Sequence, residues 1–144
     1  MQIVTRQVEG KPLTVTIEYP QYNESTMRLI QKINSLDLKF CAYSEDKQIR
    51  IELTEVYYIE NVERKLFIYT KNDVYRFDST MVQLESIIAD TQLVRISRTC
   101  IMNTDHLKQI RQVKNSHLEA VLDNDEMLIV SRKYLKDIKR VFKG

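Results

Sequence analysis

Glycine is nearly absent from this chain of 144 residues, with only Gly10 and Gly144. Backbone that must approach a phosphate closely uses glycine, so a Walker A loop and a Gly-rich dinucleotide fingerprint are excluded. Tight turns must instead rely on Asn and Asp. Long apolar runs are missing too: none approaches the roughly 20 residues that span a bilayer. The N-terminus, Met1-Gln2-Ile3-Val4-Thr5-Arg6, lacks the basic-then-apolar layout of a secretory signal. Cysteine is limited to Cys41 and Cys100, each in an apolar strand-like setting. Both read as buried thiols of a reduced compartment, not as a disulfide framework. A cytoplasmic protein is expected.

Catalytic constellations are equally scarce. His106 and His117 stand apart, at no metal spacing from each other or from a cysteine. Cys100, Asp105 and His106 lie close in sequence, but the Asp-His pair reads as a polar turn after a strand rather than as a nucleophile's base. The acidic pairs Glu45-Asp46 and Asp125-Glu126 fall in turns, where solvated charge is the ordinary state. No enzyme, no cofactor and no small-molecule substrate is expected.

What is present is a long β pattern. At this length the chain is one domain, or one domain with a small extension. Residues 13–19 alternate apolar and polar up to Pro20 and predict a strand. A helix is expected over 24–35, with Asn23 as N-cap, a Tyr22–Met27 staple, and Met27, Ile30 and Ile33 on one face. From Leu38 onward, strands are predicted at 38–43, 48–53, 55–60, 66–70 and 73–77. The turns between them are Ser44-Glu45-Asp46-Lys47, the longer Asn61-Val62-Glu63-Arg64-Lys65, and Lys71-Asn72-Asp73. A helix over 81–89 follows, with a Thr80/Gln83 capping box and a buried face of Met81, Leu84, Ile87 and Ile88. Strands then recur at 93–96, 100–103, 107–113, 117–122 and 126–130, with turns at Lys114-Asn115-Ser116 and Asp123-Asn124-Asp125. An amphipathic helix over 132–142, with Tyr134, Leu135, Ile138 and Val141 on one side, closes the chain. The class is mostly β: antiparallel sheets of about ten short strands with two or three short helices. Residues 1–36 form a strand-helix extension and residues 37–144 the main domain. A helix-turn-helix is disfavoured, because no two helices are joined by a short turn.

Charge is unevenly divided. Residues 1–90 carry 11 Lys+Arg against 14 Asp+Glu, net −3, whereas residues 91–144 carry 11 against 6, net +5. A basic half on a near-neutral chain points to an anionic partner. Within it, one pattern occurs twice: Val94-Arg95-Ile96-Ser97-Arg98 and Leu128-Ile129-Val130-Ser131-Arg132. Each reads as a strand end that delivers a hydroxyl and a guanidinium into a loop, which is either phosphate-binding chemistry or, as for any such motif alone, a strand end with a solvated arginine. Arg132 and Lys133 are expected in the first turn of the last helix, where the dipole disfavours cations unless an anion is bound. They either extend into water or meet a phosphate. Lys136, Lys139, Arg140 and Lys143 continue that helix's polar face.

Three segments in order resemble the LytTR-type DNA-binding domain of bacterial transcription regulators. Arg95, Ser97-Arg98, Ile101 and Asn103 fall on the family's F-x-R-x-H-R-S-x-I-V-N pattern, and Val130-Ser131-Arg132-Lys133-Tyr134 falls on V-S-R-R-Y. Glu55-Val56-Tyr57-Tyr58-Ile59-Glu60 is similar to the strand I-x-Y-I-E. The resemblance implies a β fold that reads double-stranded DNA with loops, as two copies on paired direct repeats about one helical turn apart. The implied reading residues are Arg64 and Lys65, Ser97 and Arg98, and Ser131, Arg132 and Lys133, with Lys136 beside them. Ser97 stands where the family has His, and Lys133 where it has a second Arg, which removes a bidentate fork to guanine. About 36 residues precede the domain, too few for a receiver domain, so a stand-alone regulator without a phosphorylation switch is expected. The extension is expected to serve a homodimer or a regulatory protein partner, or to cover a sheet edge. The other class open to the sequence is an interaction module whose basic face docks an acidic or membrane-protein partner.

Overall fold

The computed structural model describes residues 1–113 and 117–143, the last four of these by backbone alone. The turn expected at 114–116 and the side chain of Val141 lie outside the described residues. All ten strands expected after residue 37 form, and every pairing is antiparallel. They are β1 Lys39–Ser44, β2 Lys47–Glu52, β3 Tyr58–Val62, β4 Lys65–Tyr69, β5 Val74–Phe77, β6 Leu93–Arg95, β7 Cys100–Asn103, β8 Leu107–Gln112, β9 Leu118–Leu122 and β10 Met127–Val130. The first seven make one sheet in the order β2-β1-β5-β4-β3-β7-β6, and the last three a second sheet in the order β10-β9-β8. The helices are α1 Glu24–Ser35, α2 Met81–Ile87 and α3 Leu135–Lys143.

Strand β7 shows why two cores arise. All four of its residues are buried, and alternation sends them to opposite faces. Ile101 joins Ile59, Leu66, Ile68, Phe40 and Ile51 beneath Met81, Leu84 and Ile88 of the α2 segment. Cys100 and Met102 join Tyr58, Leu118, Ala120, Leu122, Val130 and the α3 residue Ile138 on the other side. Burial pushes the Cys100 thiol up to about 12, with Glu60 adding to the shift, so this group is an inert apolar filler. The strand's last residue, Asn103, is fully buried. Its amide donates to the Leu53 and Val56 carbonyls and its Oδ1 accepts from the Asp105 amide, which satisfies the chain's crossing between the two sheets.

Several local expectations hold for the physical reason given. Asn23 accepts from the Thr26 amide as the α1 N-cap, and Thr80 with Gln83 forms a reciprocal capping box on α2. Others need correction. Residues 13–19 form no strand: Leu13 is wholly exposed and Val15 more than half so. Period-two alternation gives a segment two faces but not a partner, and among the described residues no strand pairs with it. Helix α1 buries none of its residues completely and is tied to the body by Asn34 Nδ2 donating to the Asp90 carbonyl. Tyr22 rests edge-on against Tyr19. Ile87 is half exposed because α2 ends there. Cys41 is exposed, since Phe40 and Ala42 on either side of it face the core.

The turns also depart from expectation. The connection at 61–65 is shorter than predicted: β3 runs to Val62 and β4 starts at Lys65, leaving Glu63-Arg64 alone in the turn. Both hold positive φ, 52° and 69°. Asn-Gly is the usual occupant of such a hairpin turn. Among the described residues, five non-glycine positions have positive φ, and only Asp90 and Asp125 are of the residue types expected; Glu45, Glu63 and Arg64 are not.

The three-stranded sheet is fastened to the larger one through His106 and Asp123. The His106 ring stacks on Tyr57 at 3.9 Å between centroids, with Nδ1 3.1 Å from Asp123 Oδ2 and Nε2 2.8 Å from the Thr54 carbonyl oxygen. Burial pushes the Asp123 carboxyl up, but hydrogen bonds from Tyr57 and His106 and the charges of His106 and Lys71 outweigh it, so its pKa lies below the ordinary value. A folded-state pKa below the unfolded one stabilises the fold above the unfolded value of about 3.9, and the contribution is lost as pH falls through the lowered folded value. Asp123→Asn is therefore expected to lower the urea midpoint near neutral pH, with the gap to the wild type closing below about pH 4.

Candidate nucleic-acid interface

The eight residues singled out from sequence fall on three loops and the start of α3. Because β7 runs antiparallel to β3, with Glu60 opposite Cys100, the β3–β4 turn and the β6–β7 loop emerge at the same end of the sheet. The Asn61 amide donates to the Thr99 carbonyl at 2.8 Å, joining the roots of these loops. The third loop follows β10, and the Ser131 amide donates to the Ile96 carbonyl, also at 2.8 Å. Ile96 itself is fully buried in the second core. Two backbone hydrogen bonds thus lace all three loops into one surface.

On that surface Arg64 occupies the strained β3–β4 turn, and Lys65 opens β4 beside it. With Arg76, Ser79 and Thr80 they line a notch of about 370 Å³. Ser97 is half-buried. Its hydroxyl accepts from the Thr99 amide at 3.2 Å, so its first role is to shape the loop. Arg98 is exposed, and among the described residues no hydrogen bond or ion pair occupies its guanidinium. A free planar fork at a loop tip suits bidentate recognition of a base edge or a phosphate.

Ser131, Arg132 and Lys133 differ from expectation. Arg132 to Tyr134 form a 3-10 turn, and α3 begins only at Leu135. The two cations therefore stand on a turn ahead of the helix and not, as expected from the sequence, in its first turn. Tyr134 and Leu135 packing on the second core sets this change of geometry. The Lys133 amine lies 5.6 Å from the centre of the Tyr134 ring, a cation–π distance. Ser131 makes no cap hydrogen bond with its side chain. Lys136 and Lys139 are exposed one and two turns further on, while Ile138 between them is buried.

Arg95 lies on the family pattern, yet sequence reasoning assigns it no role. Its guanidinium does not reach into solvent like its neighbour's but folds back on the β6–β7 loop. Nε donates to the Ser97 carbonyl at 2.9 Å, Nη2 to the Arg98 carbonyl, and Nη1 to Glu85 Oε1 of α2. The signal available in sequence was strand alternation: Arg95 shares a face with buried Leu93, the face that α2 covers. Among the described residues, no group of three or more His, Cys, Asp or Glu is placed to hold a metal ion, and no helix is long and apolar enough to cross a membrane.

Comparison with known proteins agrees with this architecture. The fold overlays the solved structure of a LytTr DNA-binding domain from Bacillus cereus with a TM-score of 0.67 and 20% identity, over 74% of this chain and 97% of that one. The sensory transduction protein LytT of Bacillus anthracis is 23% identical over 131 residues, 88% of this chain and 53% of that protein. The transcriptional regulatory protein LytR of Staphylococcus aureus is 32% identical over 72 residues, half of this chain and 29% of that protein. The chain thus spans about half or less of the length of the curated relatives it matches. Residues 46–143 match the family described as the LytTr DNA-binding domain, a span containing all three loops, and the chain belongs to that family.

Proposed function

We propose that this chain is a cytoplasmic, sequence-specific DNA-binding transcriptional regulator of bacteria, reading double-stranded DNA with loops. The observation that carries the reading is the convergence of the three loops, laced by Asn61 and Ser131, with an exposed Arg98 whose guanidinium has no bond among the described residues. The family membership and the regulatory names of its relatives support it. Arg98 is the leading base reader. Arg64, Lys65, Ser97, Ser131, Arg132, Lys133 and Lys136 hold the backbone and the adjoining groove. Each loop set is small, so two copies on direct repeats about one helical turn apart supply the length of site that specificity demands.

The extension adds the second copy. Ile3, Val4, Leu13 and Val15 are each more than half exposed, an apolar content that a lone chain gains nothing by showing to water. Residues 1–36 accordingly serve self-association, bringing two reading surfaces together.

Three outcomes test this. Arg98→Ala should weaken binding to a duplex selected from a random pool by about 1–3 kcal/mol in a gel-shift titration, the scale of one good base contact. Equal affinity of the wild type for unrelated duplexes would instead favour a protein-interaction module. Lys139→Ala should lower affinity for every duplex alike and reduce the slope of log affinity against log salt by roughly 1. Deleting residues 1–36 should leave the remaining domain folded by circular dichroism and shift its solution mass to that of a monomer. An unchanged mass profile would remove the self-association role.

A further inference from the structure

We infer that Arg95 is a positioning residue that sets the direction of Arg98, and that Glu85 on α2 holds Arg95 in the geometry required. The inference rests on the reading above that the β6–β7 loop faces DNA. Its geometric basis is specific. The Ser97 carbonyl belongs to the peptide plane before the Arg98 Cα, and the Arg98 carbonyl to the plane after it. Arg95 donates to both. The two backbone dihedrals of a residue are the rotations of those two planes, so one guanidinium fixes both soft angles of Arg98 and hence the vector along which its side chain leaves the chain. A planar fork with five donors can do this; a lysine ammonium cannot hold two carbonyls in fixed relation while pairing a carboxylate.

Glu85 completes the arrangement. The loop carbonyls use Nε and Nη2, and Glu85 takes Nη1, so the plane of the guanidinium is fixed at three edges. Arg95 is only a quarter exposed, whereas Glu85 is 43% exposed. An ion pair that open to water contributes little to fold stability. Its consequence is orientation: without the carboxylate, the fork is free to turn away from the loop toward solvent or toward an approaching phosphate. Of the remaining loop contacts, the Ser97 amide to the Cys100 carbonyl at 3.4 Å holds the loop's outline, and the Thr99 amide to Ser97 Oγ supports the plane after Arg98 together with Arg95; among the described residues the plane before Arg98 is held by Arg95 alone.

The sign of one substitution separates this role from simple electrostatics. Glu85 is an anion near a DNA-facing loop. If it only repels phosphate, Glu85→Gln tightens binding to all duplexes. If it holds Arg95, the same change loosens Arg98 and weakens binding to the preferred duplex alone. The probes are a labelled duplex recovered by selection from a random pool with the wild-type chain, and a scrambled duplex of the same composition. For Glu85→Gln, affinity for the selected duplex should fall about fivefold while affinity for the scrambled one holds and the thermal midpoint is unchanged. Arg95→Lys should lose about tenfold or more of the same preference. Without DNA, amide hydrogen exchange at Ser97 and Thr99 should quicken in Glu85→Gln, a readout that does not depend on the DNA-binding reading. Tighter binding of both duplexes, unaltered exchange, or an equal loss on both duplexes with a lowered midpoint would each overturn the positioning role. Failure of the wild type to select any duplex while exchange at Ser97 and Thr99 still responds to Glu85→Gln would overturn the functional reading itself, and with it the purpose assigned to Arg95.

Discussion

The alignment of the three loops depends on two backbone amides, those of Asn61 and Ser131. Asn61, still paired with Leu66 across β3–β4, sends its amide to the Thr99 carbonyl one step beyond the β3–β7 ladder, and Ser131, just past β10, sends its amide to the Ile96 carbonyl. An amide left unpaired at such a root costs about 1–3 kcal/mol, so the three loops are held to one another by the same term that holds the sheets. Because the ties are made by main chain, they place no demand on the side chains at the tips. Arg64, Arg98, Arg132 and Lys133 are then free to be chosen for what they touch outside the molecule. Loops held on a rigid scaffold are where recognition is ordinarily found.

The scaffold is rigid because β3 and β7 serve two cores at once. Tyr58 and Ile59 are adjacent in sequence but belong to opposite faces, as do Ile101 and Met102. A shift of one residue in the β3–β7 register would exchange these faces and bury polar groups such as Glu60 in apolar surroundings. The register that keeps both cores dry is the same register that sets Asn61 beside Thr99. Fold stability and loop alignment are one constraint, which explains how a surface built of loops can hold fixed geometry.

Much of this was legible in the residues because the relevant signals are local. The strand expected at 48–53, the cap at Asn23 and the capping box at Thr80 and Gln83 rest on signals acting over a few residues; the cap and the box form as expected, and the strand forms as Lys47–Glu52, with Leu53 passing into a 3-10 turn. The failures occur where a distant partner decides. Residues 13–19 carry a strand's alternation but pair with no strand among the described residues, and Cys41 sits in an apolar run yet on the exposed face of β1. The start of α3 moved because Tyr134 and Leu135 must meet the second core, which sequence spacing alone does not reveal. The cations posed the same problem. Sequence gives Arg95 and Arg98 equal standing three residues apart, and only the position of α2 shows that one faces Glu85 and the other faces solvent.

The three loops are not equivalent as candidate readers, because their side chains already touch different groups. Lys133 lies over the Tyr134 ring and lacks a fork, so it supplies positive charge more than base discrimination. Ser97 turns its hydroxyl into its own loop, which leaves little beyond shape where the family has a ring nitrogen. Arg64 retains a fork, and it does so at a backbone cost: two consecutive left-handed residues in Glu63-Arg64 cost about 1–2 kcal/mol each relative to glycine. Glycine would relieve that strain and remove the guanidinium, so its absence from the turn is informative in a way that the low glycine content alone was not. Strained non-glycine turns persist where the side chain has a task. Under the proposed DNA-reading role, Arg98, at ordinary φ, without a side-chain bond among the described residues and held at its backbone by Arg95, ranks first among these side chains and Arg64 second. Recognition is therefore expected to centre on the β6–β7 and β3–β4 loops, with the Ser131-Arg132-Lys133 turn anchoring the phosphate backbone alongside them.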